Sequence, residues 1–140
     1  METETRSKDR KEAIFEAAVR CFNENGYYET TIDMIAQQAN ISKGGIYYHF
    51  ESKKELFLEL FRYRVTKYFD FLKQYTADIS DPEERLKIFI NKASSIQKEN
   101  SDFFKFCIEF LSMGVRDREI RSVMTDFYRT SVGTFKSYIE

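Results

Sequence analysis

The chain has 140 residues, which is enough for one domain with a hydrophobic core or for two small domains that share a helix. Its 22 Lys and Arg residues and 23 Asp and Glu residues leave a net charge of −1, which excludes a uniformly basic, histone-like protein. Only five glycines and one proline are present, and this scarcity favours long helices over a many-stranded β protein.

An amphipathic helix is predicted over about residues 7–25. Its apolar residues recur at the three- and four-residue spacing of one helix face. They are Ile14, Ala17, Ala18, Cys21 and Phe22. The pair Asn25-Gly26 predicts the end of this helix, with Gly26 in the left-handed region.

Two short helices are predicted next. The first covers Ile32–Ala39, and either Thr30 or Thr31 caps its start. Asn40 suits a left-handed turn, and Ser42 predicts the cap of a third helix of about two turns. Two short helices joined by a tight turn are typical of a helix-turn-helix unit.

Four longer helices account for the rest of the chain. We expect them to begin at Ser52, Asp81, Ser101 and about Asp117. The start at Asp81 is the clearest, because Pro82 follows the capping residue and two carboxylates lie in the first turn. The sixth helix is predicted to end at Gly114 and to bury Phe103, Phe104, Cys107, Phe110 and Leu111. Since the periodicity continues through Glu140, we expect the chain to end inside a helix and to be part of a longer protein.

The short third helix has an unusual composition for a structural element. Gly44 and Gly45 are adjacent in it, and each costs about 1 kcal/mol relative to Ala. A helix whose backbone must approach another surface closely tolerates this cost. Side chains that can donate hydrogen bonds to phosphate surround the glycines, namely Ser42, Lys43, Tyr47, Tyr48 and His49. Residues 42–54 carry a net charge of +2, and Lys53 lies in the first turn of the next helix, where an anion is also favoured.

The stretch TTIDMIAQQANISKGGIYYHFESKKELF resembles the N-terminal DNA-binding region of TetR-type (tetracycline-repressor-like) transcriptional regulators. The resemblance covers about residues 10–60 and includes Asn25-Gly26-Tyr27, the Ile41–Gly44 turn and the blocks Ile46–Phe50 and Ser52–Leu56. It implies an all-α fold with an N-terminal three-helix helix-turn-helix DNA-binding domain, residues 1–52. A long fourth helix would join this domain to a C-terminal helical bundle for ligand binding and dimerisation, residues 53–140, which would be incomplete.

The resemblance also implies which residues contact DNA. The expected set is Thr30, Thr31, Ser42, Lys43, Gly44, Gly45, Tyr47, Tyr48, His49 and Lys53. Within it, Lys43 and the two glycines would meet base edges, Tyr47 would contact base and phosphate, and Thr31, Tyr48, His49 and Lys53 would hold phosphates. Position 45 is Gly where the family commonly has Thr, Ser or Ala, which removes one side-chain contact. From the residues alone, either tyrosine can instead belong to the core.

For the second half, the resemblance implies an inducer pocket between helices. The candidate lining residues are Phe61, Arg64, Tyr68, Cys107, Phe110, Met124 and Tyr128. Aromatic and methionine walls suit a lipophilic or flat ligand. Each aromatic can equally be core, and Arg64 can pair with an acidic ligand group or extend to solvent.

These features predict a ligand-responsive regulator, a repressor, that binds a near-palindromic double-stranded DNA operator as a homodimer and is released by a small lipophilic or aromatic inducer. The alternative is an all-helical binding protein whose Tyr/Lys patch contacts another protein. An enzyme is the weakest reading, because there is one histidine and no catalytic arrangement at helical spacing.

The composition also restricts the setting in which the protein works. The apolar runs are short and interrupted by charges, and the first residues are polar, so we expect no membrane span and no signal peptide. The isolated cysteines, Cys21 and Cys107, suit a reducing cytoplasm and predict neither a disulfide framework nor a metal site. We expect no cofactor.

Overall fold

The computed structural model describes residues 1–139, leaving out the side chains of Glu2, Tyr138 and Ile139, and within this range the chain forms seven α-helices and no strand. The helices are α1 (Glu2–Glu29), α2 (Ile32–Ala39), α3 (Lys43–Tyr47), α4 (Lys53–Gln74), α5 (Pro82–Glu99), α6 (Ser101–Gly114) and α7 (Arg118–Ile139). The predicted all-α class and the order of its helices are confirmed. The last residue of the predicted periodicity, Glu140, lies outside the described residues.

The chain divides into two compact units. The first unit is Met1–Phe61, and the second begins at Arg62. Helix α4 contributes to both, because the division falls within it. The first unit therefore holds α1, α2, α3 and the first turns of α4, which is where the helix-turn-helix prediction lies.

The helix starts follow local capping chemistry. The side chains of Thr31, Ser42 and Asp81 each accept a hydrogen bond from the backbone N–H three residues later, at 3.2, 3.0 and 3.0 Å. Thr31, not Thr30, therefore caps α2. Asn40 closes α2 in the left-handed region, with φ 53° and ψ 45°, as predicted. These local signals are readable from sequence because the donor and acceptor are at most a few residues apart.

The end of α1 differs from the prediction. Gly26 has φ 75° and ψ 169°, so it interrupts α1 with a kink, and helical structure resumes up to Glu29. Gly26 thus has the positive φ expected of it but a ψ outside the left-handed helical region. An L-residue would be strained at this φ, so the kink that sets the direction of residues 27–29 requires glycine.

The core of the first unit confirms the predicted face of α1. Ile14, Ala17, Ala18, Cys21 and Phe22 are all buried. Aromatic rings connect α1 to later elements, with centroid distances of 5.5 Å between Phe15 and Phe50 and 4.9 Å between Phe22 and Phe57. The helix-turn-helix is therefore built on a buried aromatic layer.

The buried face of α6 is rotated from the predicted one. Phe103, Phe106, Phe110 and Met113 are buried, whereas the exposed fraction of Leu111 is 46%. Phe106 was absent from the predicted stripe, although it is fully buried. The segment FFKFCIEFLSM is apolar around most of its circumference, so its periodicity does not single out one face.

The rotated face of α6 can be tested by truncation. Phe106→Ala should lower the free energy of unfolding by about 3–5 kcal/mol, because it opens a cavity in the core. Ile108→Ala, at a position that is 67% exposed, should change it by no more than about 0.5 kcal/mol. Urea unfolding followed by circular dichroism measures both, and Phe106→Leu provides a milder change if the alanine variant does not fold. Equal losses for the two alanine variants would contradict this orientation.

Candidate nucleic-acid interface and apolar cavity

Helix α3 is anchored by one side chain and exposes the rest. Ile46 is fully buried, whereas Lys43, Gly44, Tyr47 and Tyr48 are exposed. These four residues are called the α3 surface below. Tyr47 is 46% and Tyr48 82% exposed, so neither tyrosine is part of the core. Two aromatic rings and an amine therefore project into solvent from one short helix.

Lys43 forms an ion pair with a neighbouring helix. Its Nζ lies 3.0 Å from Asp33 Oδ2 in α2, and both side chains are largely exposed. The hydrogen bond and charge of Asp33 raise the pKa of Lys43. An exposed pair of this kind contributes little to stability, so the ammonium can exchange Asp33 for another anion at small cost.

The two adjacent glycines have different surroundings. A Cβ built on Gly44 would meet no atom within 4 Å, so the fold itself leaves that position open. A Cβ on Gly45 would lie 2.6 Å from Ile41 Cγ2 and 3.2 Å from Ser42 Oγ. Internal packing therefore explains Gly45. Nothing within the first unit explains Gly44, whose bare backbone faces outward.

His49 lies beside the α3 surface and is half-buried. Its ring centroid is 5.1 Å from that of Tyr48 and 6.2 Å from that of Phe50. Burial lowers the pKa of His49, and the positive charges of Lys11 and Arg10 on α1 lower it further. The imidazole is thus mostly neutral at pH 7 and offers a neutral donor, with the cations of Lys11 and Arg10 nearby.

Thr31 and Ser42 are exposed at the helix starts that they cap. Each hydroxyl oxygen accepts a bond from its own helix, as described above. A hydroxyl can accept and donate at once, so each O–H can still be directed to an external acceptor. Both residues are therefore available for the phosphate contact expected of them.

Thr30 is placed differently from Thr31. It is fully buried, and its Oγ1 lies 2.9 Å from the carbonyl oxygen of Cys21 and 2.7 Å from that of Gly26. The hydroxyl hydrogen is therefore directed to the end of α1, where it satisfies carbonyls near the kink. A contact between Thr30 and DNA does not fit this position, which is a correction to the sequence-based set.

Lys53 also differs from its predicted role as a phosphate clamp. Its Nζ donates to the carbonyl oxygens of Tyr27 at 2.7 Å, Tyr28 at 3.3 Å and Thr30 at 2.9 Å. The ammonium also lies 4.3 Å from the centroid of the Tyr27 ring. Burial lowers the pKa of Lys53. This lysine therefore joins the start of α4 to the connection between α1 and α2.

The second unit contains an apolar cavity of about 830 Å³. Four predicted ligand residues line it, namely Tyr68, Cys107, Met124 and Tyr128. The structure adds Phe104, Leu111, Phe127 and Phe135 to its wall. Phe61 and Phe110 are at most 2% exposed and lie outside the lining, so they belong to the packed core. The apolar periodicity of a helix indicates which residues point inward, but not whether they meet other side chains or empty space.

Arg64 lies on a separate, polar groove of about 540 Å³. This groove shares Tyr68 and Phe103 with the apolar cavity. Burial raises the pKa of the Cys107 thiol to about 12, while the charge of Arg64 acts in the opposite direction. Burial also raises the pKa of the Tyr68 phenol. Both groups are therefore uncharged at pH 7.

Residues 14–60 match the family model described as bacterial regulatory proteins, tetR family. The match covers α2, α3 and the parts of α1 and α4 that pack with them. This part of the chain belongs to the tetR family. The resemblance found in the sequence is confirmed.

Two relatives extend the match beyond the helix-turn-helix. The HTH-type transcriptional regulator YerO of Bacillus subtilis is 30% identical over 134 residues, covering 93% of this chain and 44% of YerO. The biofilm operon icaADBC HTH-type negative transcriptional regulator IcaR of Staphylococcus epidermidis is 30% identical over 107 residues, covering 66% of this chain and 58% of IcaR. The chain spans less than half the length of the first three curated relatives it matches.

Solved structures share the fold of this chain. The transcriptional regulator FadR of Bacillus subtilis in complex with stearoyl-CoA has a TM-score of 0.74 at 20% identity, covering 90% of this chain and 67% of FadR. A transcriptional regulator of Saccharomonospora viridis in complex with choline has a TM-score of 0.77 at 26% identity, covering 94% of this chain and 68% of the other. Among the described residues, no helix combines the length and the apolar character needed to cross a membrane.

The position of Lys53 predicts a loss of stability when its ammonium is removed. Lys53→Met should lower the free energy of unfolding by about 1–3 kcal/mol, because backbone carbonyls at the α1–α2 connection lose their charged donor. The control is Lys8→Met, which removes the same charge from an exposed position of α1 and should cost distinctly less. Thermal and urea unfolding measure the difference, and equal stability of the two variants would contradict the role given to Lys53.

Proposed function

We propose that this chain is part of a DNA-binding transcriptional regulator of the tetR family, a repressor, that works in the cytoplasm. It binds a near-palindromic double-stranded operator as a homodimer, and a small lipophilic or aromatic ligand releases it. Residues 1–52 form the DNA-binding domain, and residues 53–140 contribute to the ligand-binding and dimerisation domain. No catalytic step is assigned to the chain. The observation that carries the proposal is the α3 surface, whose polar and aromatic groups are exposed while Ile46 alone anchors the helix.

The α3 surface has the chemistry of a recognition helix. Lys43 can donate to guanine edges, and Tyr47 and Tyr48 can donate to phosphate or stack on sugar and base. Gly44 allows the backbone to approach the groove closely. Thr31, Ser42 and His49 flank this surface with further donors. We assign Gly45, Thr30 and Lys53 to holding the helix in place, because their contacts are internal.

The proposal of a homodimer is supported by the size of the recognition helix. Helix α3 has five residues, so one copy reaches only a few base pairs. Two copies placed about 34–36 Å apart would read successive major grooves on one face of DNA. Repression is supported by IcaR, a negative transcriptional regulator with 30% identity. A releasing ligand is supported by the apolar cavity, since solved structures of the same fold hold stearoyl-CoA or choline.

The proposal is tested by titrating the full-length protein against DNA from upstream of its own gene, with fluorescence anisotropy as the readout. For each tenfold rise in salt concentration, the logarithm of the association constant should fall by about 0.9 per neutralised phosphate. Lys43→Gln should reduce operator affinity about 5- to 150-fold, the range for one base contact, and should reduce random-DNA affinity much less. Binding that is insensitive to salt would contradict the proposal and favour a protein partner.

The same titration tests whether Lys53 contacts a phosphate or has a structural role. Lys53→Met should weaken binding while leaving the salt slope as in the wild type, because its charge is held by carbonyl oxygens instead of phosphates. A slope smaller by about 0.9 would instead restore the role of phosphate clamp.

The two glycines provide a matched pair of variants. Gly44→Ala should raise the free energy of unfolding by up to about 1 kcal/mol, because Ala is the better helix former and its Cβ meets open space. It should nevertheless weaken operator binding, because the new methyl group lies between α3 and DNA. Gly45→Ala should lower stability, because its Cβ would overlap the Ile41 side chain. Urea unfolding and anisotropy measure both properties, and full operator affinity in Gly44→Ala would contradict close approach at this position.

A further inference from the structure

The apolar cavity offers few polar partners to a ligand. Within the described part of the chain, Arg121 is the one charged residue that lines it. The guanidinium of Arg121 donates to the carbonyl oxygens of Gly114 and Val115, which end α6. The hydroxyls of Thr125 and Ser131, also on the wall, donate to carbonyls of their own helix. The other polar groups among the described lining residues are the Cys107 thiol and the phenols of Tyr68 and Tyr128, so a charged group on a ligand finds few partners inside the cavity.

The polar groove adjoins the cavity next to α4. Tyr68 and Phe103 form the shared wall, with their ring centroids 5.7 Å apart. The groove carries charges of both signs, from Arg64, Lys67, Asp70 and Glu99. Lys67, Asp70 and Glu99 are exposed, whereas Arg64 is half-buried and its Nε is shielded from solvent. Charges in contact with water are screened, so Arg64 has the strongest effect on a ligand that enters from the cavity.

The charge of Arg64 also reaches the cavity. It precedes Tyr68 by four residues on α4, which places the two side chains on the same face of the helix. Its charge acts on the thiol of Cys107, which lines the cavity. The guanidinium therefore lies close enough to attract an anion held beside Tyr68.

We propose that the cavity binds a lipophilic anion, with a hydrocarbon body in the cavity and a carboxylate or similar head group at Arg64. This proposal rests on the proposed function, in which the cavity is the ligand site, and it specifies the charge of that ligand. The wall formed by α7 runs from Arg121 to Phe135, a rise of about 21 Å along the helix, which suits an extended chain better than a compact ring. Arginine suits the head group because its planar fork binds a carboxylate through two hydrogen bonds.

The experiment compares three ligands that share a ten-carbon chain. Decanoate, decanol and decyltrimethylammonium carry a negative, neutral and positive head, and isothermal titration calorimetry of the full-length protein measures their affinities without DNA. Decanoate should bind about 10-fold or more tightly than decanol, and the cation should bind most weakly. Arg64→Gln should remove the advantage of decanoate and leave decanol unchanged. Arg62→Gln, which removes an exposed cation outside both cavities, should retain the advantage.

The outcomes separate this proposal from the function on which it rests. Equal affinities for decanoate and decanol, or an advantage that survives in Arg64→Gln, would overturn the role of Arg64 while leaving the cavity as a ligand site. Failure of all three ligands to bind would contradict both the anionic ligand and the assignment of the cavity as a ligand site. The DNA-binding part of the proposed function would still be tested by the anisotropy titration. If Arg64→Gln does not fold, Arg64→Lys should keep the preference for decanoate with a several-fold weaker affinity, and unchanged affinity would count against a forked contact.

Discussion

The placement of helix α3 depends on a single buried side chain. Ile46 is fully buried and fixes α3 against the first unit, while the Ser42 cap fixes where the helix begins. With one residue directed inward, every other side chain of a five-residue helix is directed sideways or outward. Lys43, Tyr47 and Tyr48 are thus exposed because Ile46 is the one residue of α3 that packs into the core.

The connection between α1 and α2 is held by two polar side chains. Thr30 and Lys53 both direct their polar atoms to carbonyls at the end of α1, and both were expected at the DNA surface. Their positions in the sequence suited an anion-binding helix start, because hydroxyl and ammonium groups there bind phosphates readily. The same groups also suit the unpaired carbonyls of a kinked helix end. Which acceptor they meet depends on contacts over 23–26 residues for Lys53, and these are not visible in a local pattern.

The sequence therefore predicts local features well and distant ones poorly. The caps at Ser42 and Asp81, the left-handed Asn40 and the buried face of α1 all depend on neighbours within a few residues, and they appear as expected. The predicted buried face of α6 was wrong, because phenylalanines lie on several faces of this helix and tertiary packing decides which of them is buried. For the same reason, some of the predicted cavity residues line the cavity and others belong to the core. Only packing decides whether an inward aromatic residue such as Phe110 or Tyr68 meets a neighbouring side chain or a void.

The thiol on the cavity wall has a consequence for how any bound molecule is retained. With a pKa of about 12, Cys107 is ionised in on the order of one molecule in 10⁵ at pH 7, and the thiolate is the form that attacks electrophiles and oxidants. Covalent attachment of a bound molecule to Cys107 is therefore disfavoured. The occupancy of the cavity follows the free concentration of the molecule and reverses when the molecule is removed. Under the proposed function, the regulator reports the present level of a compound and keeps no chemical record of past exposure.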